Sequence, residues 1–75
     1  MAGKKGVGIC AVGLKSFFAA TARYNEVLRN GTEWEQARLK SEVTIAGKKY
    51  KMLANAYGIE ISNQAIAQVV SELSN

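Results

Sequence analysis

Residues 24–39 read YNEVLRNGTEWEQARL and contain the signals for the end of one helix and the start of the next. Asn30-Gly31 is predicted to end the first helix, because both residues tolerate the left-handed backbone conformation common at helix ends. Thr32 and Glu35 have the spacing of a capping box, in which each side chain accepts a hydrogen bond from a backbone amide of the other residue. The sequence therefore predicts two helices that meet at a tight turn and pack antiparallel.

Apolar side chains recur at spacings of three and four on both sides of this turn, as on one face of a helix. The stripe before the turn is Val7, Cys10, Leu14, Phe17, Thr21, Tyr24 and Leu28, and the stripe after it is Leu39, Val43, Ala46, Tyr50, Leu53 and Tyr57. Gly58 is predicted to end the second helix. Ser62 is predicted to cap a third helix, with Ile61 and Ile66 as its hydrophobic staple.

These patterns predict a mainly α fold, a single small helical domain over residues 1–75. The helices are expected at about 8–29, 33–57 and 63–73, after a flexible basic tail at 1–6. The first two helices should form a long antiparallel hairpin, and the short third helix should fold back across it.

The segment EVTIAGKKYKM, residues 42–52, also fits a β-hairpin. Its β-branched run favours a strand, and Gly47 weakens a helix. That alternative is an α+β helix–β-hairpin–helix domain with strands near 42–45 and 48–52. The helical stripe, however, continues through the segment without a change of phase, which favours the helix.

The composition argues against most enzymes, because the chain has no histidine, no aspartate and a single cysteine. General acid–base catalysis usually needs histidine or paired carboxylates, and zinc sites need several thiolates or imidazoles. No catalytic residue, metal site, cofactor or small-molecule substrate is therefore expected. Cys10 fits a buried thiol in a reducing intracellular compartment, or in a protein that is part of a larger particle. Lys15 interrupts the most apolar stretch, so no transmembrane segment is predicted.

The chain has more aromatic bulk than a short three-helix core readily hides, and a domain of this size is expected to be marginally stable alone. We therefore predict a non-catalytic interaction or assembly protein that presents an apolar, aromatic-rich helical surface. Its partner would be a second copy of the chain, in a homo-oligomer, or a larger protein assembly. The predicted interface residues are Phe17, Phe18, Trp34, Tyr50 and Tyr57.

The net charge of +4 makes nucleic acid the alternative partner. Residues 53–73 resemble a helix-turn-helix motif, with Ala54, Gly58 and Ile66 in the packing and turn positions. They depart from the motif in a longer turn and in a last helix without lysine or arginine. The resemblance implies a small basic DNA-binding protein, whose contact residues would be Lys48, Lys49, Lys51, Asn63, Gln64 and Gln68.

Overall fold

The fold consists of three consecutive α-helices in a computed structural model that describes residues 2–74. Helix α1 spans Ala2–Asn30, α2 spans Glu33–Tyr57 and α3 spans Ile59–Ser74. The predicted three-helix domain, a long hairpin followed by a shorter helix, is confirmed. The described chain contains no strand, so the α+β alternative is wrong.

The connection between α1 and α2 is closed by the predicted capping box. The Glu35 amide donates to the Thr32 hydroxyl over 3.2 Å, and the Thr32 amide donates to the Glu35 carboxylate over 3.3 Å. Helix α1 ends at Asn30 as predicted, but the predicted reason is wrong, because Gly58 alone among the described residues has a positive φ. The Gly31 amide instead donates to the Val27 carbonyl over 2.7 Å, which continues the helical bonding pattern by one residue.

Segment 42–52 is helical because packing and local bonds outweigh its strand-forming residues. Arg38 and Glu42 form a pair one helical turn apart, with 3.9 Å between Nε and the carboxylate. The Thr44 hydroxyl donates to the Lys40 carbonyl over 3.0 Å. Gly47 lies under the ring of Phe17, whose nearest carbon is 3.2 Å from the position that a Cβ would take. The glycine thus allows α1 and α2 to approach closely.

Helix α3 begins four residues earlier than the predicted start at residue 63, directly after Gly58. Ser62 lies inside the helix, where its amide donates to the Gly58 carbonyl over 3.0 Å. The predicted cap at Ser62 and the staple formed by Ile61 and Ile66 are therefore wrong. A single residue suffices as the connection, because its backbone conformation reverses the chain in one step.

Helix α1 also begins earlier than predicted, at Ala2. The segment 2–6, predicted as part of a tail, continues the helix, and Met1 lies outside the described residues. The predicted flexibility of 1–6 stays a prediction.

The buried core lies between the first half of α1 and α3. Its fully or almost fully buried side chains are Cys10, Ala11, Leu14, Ser62, Ala65 and Val69, and α2 contributes none. Tyr50 of α2 reaches this core from the side, with 2.8 Å between its hydroxyl and that of Ser62. An ion pair between Lys15 and Glu72 lies near the C-terminal end of α3. Beyond it, residues 16–30 and 33–47 form a two-helix arm.

Replacing Gly58 with alanine should destabilise the fold. Gly58 has φ 93° and ψ 166°, a region open almost only to glycine, and its amide donates to the Ala54 carbonyl over 2.9 Å. Placing an L-residue there costs about 1–3 kcal/mol, which urea unfolding followed by circular dichroism would measure. A synthetic chain with D-alanine at this position is the control, because D-residues favour positive φ. Equal destabilisation by both would contradict a conformational cause.

Candidate interaction surface

The molecule exposes more surface than its size requires. Its Cα atoms extend over 46 × 28 × 14 Å, so the chain is elongated and flattened. The accessible surface is 5549 Å², whereas a compact monomer of 8.1 kDa should expose about 4,500 Å². The excess arises because α1 packs against both other helices while α2 and α3 contact each other least.

An open apolar groove of about 880 Å³ runs between α1 and α2. We call it the α1–α2 groove. By helical periodicity, Ile9 and Ser16 in this groove lie on the side of α1 opposite Ala11, which belongs to the core shared with α3. Helix α3 therefore leaves this side open. The lining residues are Gly8, Ile9, Val12, Gly13, Ser16, Glu42, Ile45, Ala46, Lys49 and Leu53.

The side chains of the groove form an apolar centre with charges on α2 only. Val12 is 64% exposed and Ile45 is 63% exposed, on α1 and α2 respectively. Glu42 and Lys49, the charged lining residues, stand on α2 on either side of Ile45 and Ala46. A surface of this kind, apolar in the middle with charges at its edge, resembles the composition of protein–protein interfaces.

The aromatic residues predicted to form an interface divide into two groups. Phe17 and Tyr50 are half-buried and pack against the core. Phe18, Trp34 and Tyr57 are exposed, and Trp34, at 69%, is the most exposed of them. The Arg38 guanidinium lies 5.7 Å from the centre of the Trp34 ring, a cation–π contact that leaves most of the ring uncovered. Three of the five residues are thus available to a partner.

A second apolar stripe lies on α3, along one edge of the buried side of that helix. It consists of Ile59, Ile66, Val70 and Leu73, all exposed. Among the aliphatic residues of α3 larger than alanine, Val69 is buried and Ile61 is partly buried. The side of α3 that faces the core carries Ser62 and Ala65 beside Val69. Small side chains there allow α3 to lie close to α1.

The residues predicted to contact DNA are all exposed. They are Lys48, Lys49, Lys51, Asn63, Gln64 and Gln68. The predicted turn of the motif, Gly58–Ile61, is reduced to Gly58 alone because α3 begins at Ile59. In a helix-turn-helix the connection usually has three or four residues, so the predicted turn of four residues is not too long for the motif. The observed connection of one residue is shorter than in that motif. Lys49 is also the member of this set that lines the α1–α2 groove.

The groove residues Ile9, Val12 and Ile45 are absent from the predicted interface, because that prediction was based on aromatic residues. In the sequence, these three apolar residues are recognisable by their position beside the main apolar stripe of each helix. This signal cannot identify a groove until the position of α3 is known.

Comparison of the chain with models of known protein families, with curated proteins and with solved structures gives no match. None of the described helices is long and apolar enough to cross a membrane. Within residues 2–74, no three histidine, cysteine or acidic side chains lie together in a way that could hold a metal ion.

Proposed function

We propose that this protein is a non-catalytic interaction and assembly protein, which uses apolar helical surfaces to associate with copies of itself or with a larger protein complex. The observation that carries the proposal is the excess of exposed surface over that of a compact monomer. The excess is about 1,000 Å², and one partner in a standard protein–protein interface buries about 800 Å².

The small core supports the same proposal. Among the residues whose burial the structure describes, five hydrophobic ones are buried, and Leu14 and Val69 are the bulkiest of them. Complete burial of one such side chain contributes about 1.5–3 kcal/mol, whereas ordering the backbone of one residue costs about 1–2 kcal/mol. Additional burial at an interface would offset part of this cost. The exposed apolar residues that could supply it include Val12, Ile45 and Trp34.

We propose a non-catalytic role because the chain has few of the residue types that carry out catalysis. The chain lacks histidine and aspartate, and its only cysteine, Cys10, is fully buried. The groove offers one carboxylate, Glu42, and one amine, Lys49. General acid–base catalysis usually uses a histidine or a pair of carboxylates, and the groove is lined by neither.

Sedimentation equilibrium over a roughly hundredfold range of concentration tests this proposal. We expect the average mass to rise from 8.1 kDa toward a multiple of it as concentration increases. A partner complex without self-association would instead leave the free chain marginally stable. A strictly monomeric chain that unfolds at high urea concentration would contradict the proposal, because it would need no further burial.

DNA binding is a second proposal, supported by the basic residues of α2. Lys48, Lys49 and Lys51 are exposed, and none of them forms a salt bridge with another described residue. Such a cluster can neutralise phosphates, and its affinity would fall as salt increases.

Fluorescence anisotropy with a labelled duplex at low salt tests DNA binding. We expect a triple Lys48→Glu, Lys49→Glu, Lys51→Glu variant to lose at least tenfold in affinity, since about three phosphate contacts would be removed. Absence of any binding by the unaltered chain at low salt would reject this second proposal and leave the first unaffected.

A further inference from the structure

We propose that the α1–α2 groove is the contact surface of a two-fold symmetric homodimer, in which α2 packs antiparallel to α2 of the second copy and Glu42 of each chain pairs with Lys49 of the other. This inference rests on the proposed assembly function and adds its partner, its surface and its symmetry.

The shape and chemistry of the groove fit a second copy of the chain. Its floor and walls are apolar, and Val12 and Ile45 project from the two helices with more than half of their surface exposed. A matching surface must therefore present an exposed apolar side chain between charged ones. On α2 the exposed side chain of Ile45 stands between Glu42 and Lys49, each about one turn away. A second copy of the chain thus provides both the groove and the side chain that fills it.

The charges of the groove match those of a second copy of the chain. Glu42 and Lys49 are seven residues apart on α2, and Ile45 and Ala46 lie midway between them. In a two-fold interface, residue i contacts residue j of the partner and residue j contacts residue i. A two-fold axis at Ile45 and Ala46 runs the helices antiparallel and brings each glutamate opposite a lysine. Two ion pairs then form around an apolar centre.

The excess accessible surface of the chain is about the area that a symmetric dimer would bury. The surface in excess of a compact monomer is about 1,000 Å², and a standard two-chain interface requires about 800 Å² from each partner. A single symmetric contact therefore removes the whole excess, and no further partner is needed. The α3 stripe of Ile59, Ile66, Val70 and Leu73 offers apolar side chains. The charged residues of α3 are Glu60 and Glu72, and Glu72 is already paired with Lys15, so two copies joined there would gain no new pair of opposite charges from α3.

Charge reversal gives a test that few other arrangements would satisfy. A Glu42→Lys chain has lysine at both positions and a Lys49→Glu chain has glutamate at both, so each variant alone places like charges together at two points. We expect the homodimer of each to be about tenfold weaker, so that it dissociates at about tenfold higher concentration than the unaltered protein. Mixed together, the two variants should form a heterodimer of about the original affinity, because both contacts again join opposite charges, one in the original sense and one reversed.

Native mass spectrometry with one variant labelled with ¹⁵N separates the heterodimer from both homodimers, and sedimentation equilibrium gives the affinities. The matched control is Lys48→Glu, which makes the same charge change at the adjacent exposed residue outside the groove lining. This variant should associate as the unaltered chain does and show no preference for Glu42→Lys. Circular dichroism should show full helicity in all variants, because Lys48 and Lys49 are exposed and Glu42, which is half-buried, makes only a surface pair with Arg38.

Each result has a distinct meaning. Preferential heterodimer formation supports the groove interface and its symmetry. Dimers that form equally well in every variant would place the interface elsewhere, which overturns this inference and leaves the assembly function standing. Chains that remain monomeric at every concentration overturn this inference, and if they also unfold only at high urea concentration they overturn the assembly function as well.

Discussion

Replacing Leu14 with alanine should lower the free energy of unfolding by about 2–5 kcal/mol, the range measured when a buried leucine is truncated. Leu14 is 5% exposed and packs with Cys10, Ala65 and Val69 at the centre of the core. A chain of this length has a total stability on the order of 5–10 kcal/mol. The loss therefore removes a large part of it, and we expect the variant to be partly unfolded at room temperature in dilute solution.

Leu73→Ala is the matched control, because it deletes the same atoms from a residue that is 71% exposed. We expect a change below about 0.5 kcal/mol. Urea unfolding monitored by circular dichroism compares the two variants under identical conditions. Equal effects would show that the core does not lie between the first half of α1 and α3.

Replacing Val12 with glutamate should weaken dimerisation at least a hundredfold. In the isolated chain Val12 is 64% exposed, so the carboxylate remains hydrated and the helices should keep their stability. In the dimer this position faces the second copy, and burial of a charge without a partner costs several kcal/mol. The expected result is a helical monomer at concentrations where the unaltered protein is dimeric, measured by sedimentation equilibrium.

Val70→Glu is the corresponding control on α3, where the valine is 51% exposed and belongs to the second apolar stripe. It introduces the same side chain far from the α1–α2 groove, and the dimer should persist. Loss of the dimer in Val70→Glu and its retention in Val12→Glu would move the interface to α3. Both results are read from the same experiment.

The local signals of the sequence predict the helix ends well where a single turn contains all the necessary atoms. Thr32 and Glu35 form the predicted capping box, and α2 ends at Tyr57, directly before Gly58, as predicted. These interactions depend on residues no more than a few positions apart. The same reasoning failed at Ser62, because its cap motif competes with a helix that begins directly after Gly58.

Segment 42–52 shows why propensity alone could not choose between helix and hairpin. The residue that weakens a helix most in this segment, Gly47, is also the one that admits the ring of Phe17 from the facing helix. A contact with a residue 30 positions away in the chain thus decides the local structure. The unbroken helical stripe was the sequence feature that reflected this contact.

The candidate site was predicted only in part, because exposure depends on how far α3 extends along α1. Phe17 and Tyr50 are on the predicted apolar stripes and are drawn inward, whereas Trp34 lies off the stripe and is exposed. The groove at Val12 and Ile45 exists because α3 occupies the other side of α1. Periodicity places residues on faces of a helix, but it does not state which face the next helix will cover.

The central claim is that this chain gains stability by burying apolar helical surface against a second copy. Thermal unfolding over a roughly hundredfold range of protein concentration tests it most directly, since only association makes the midpoint depend on concentration. For a dimer we predict a rise of roughly 5–10 °C across that range, given the size of the chain. A midpoint that stays constant within about 1 °C, with a high free energy of unfolding, would contradict it.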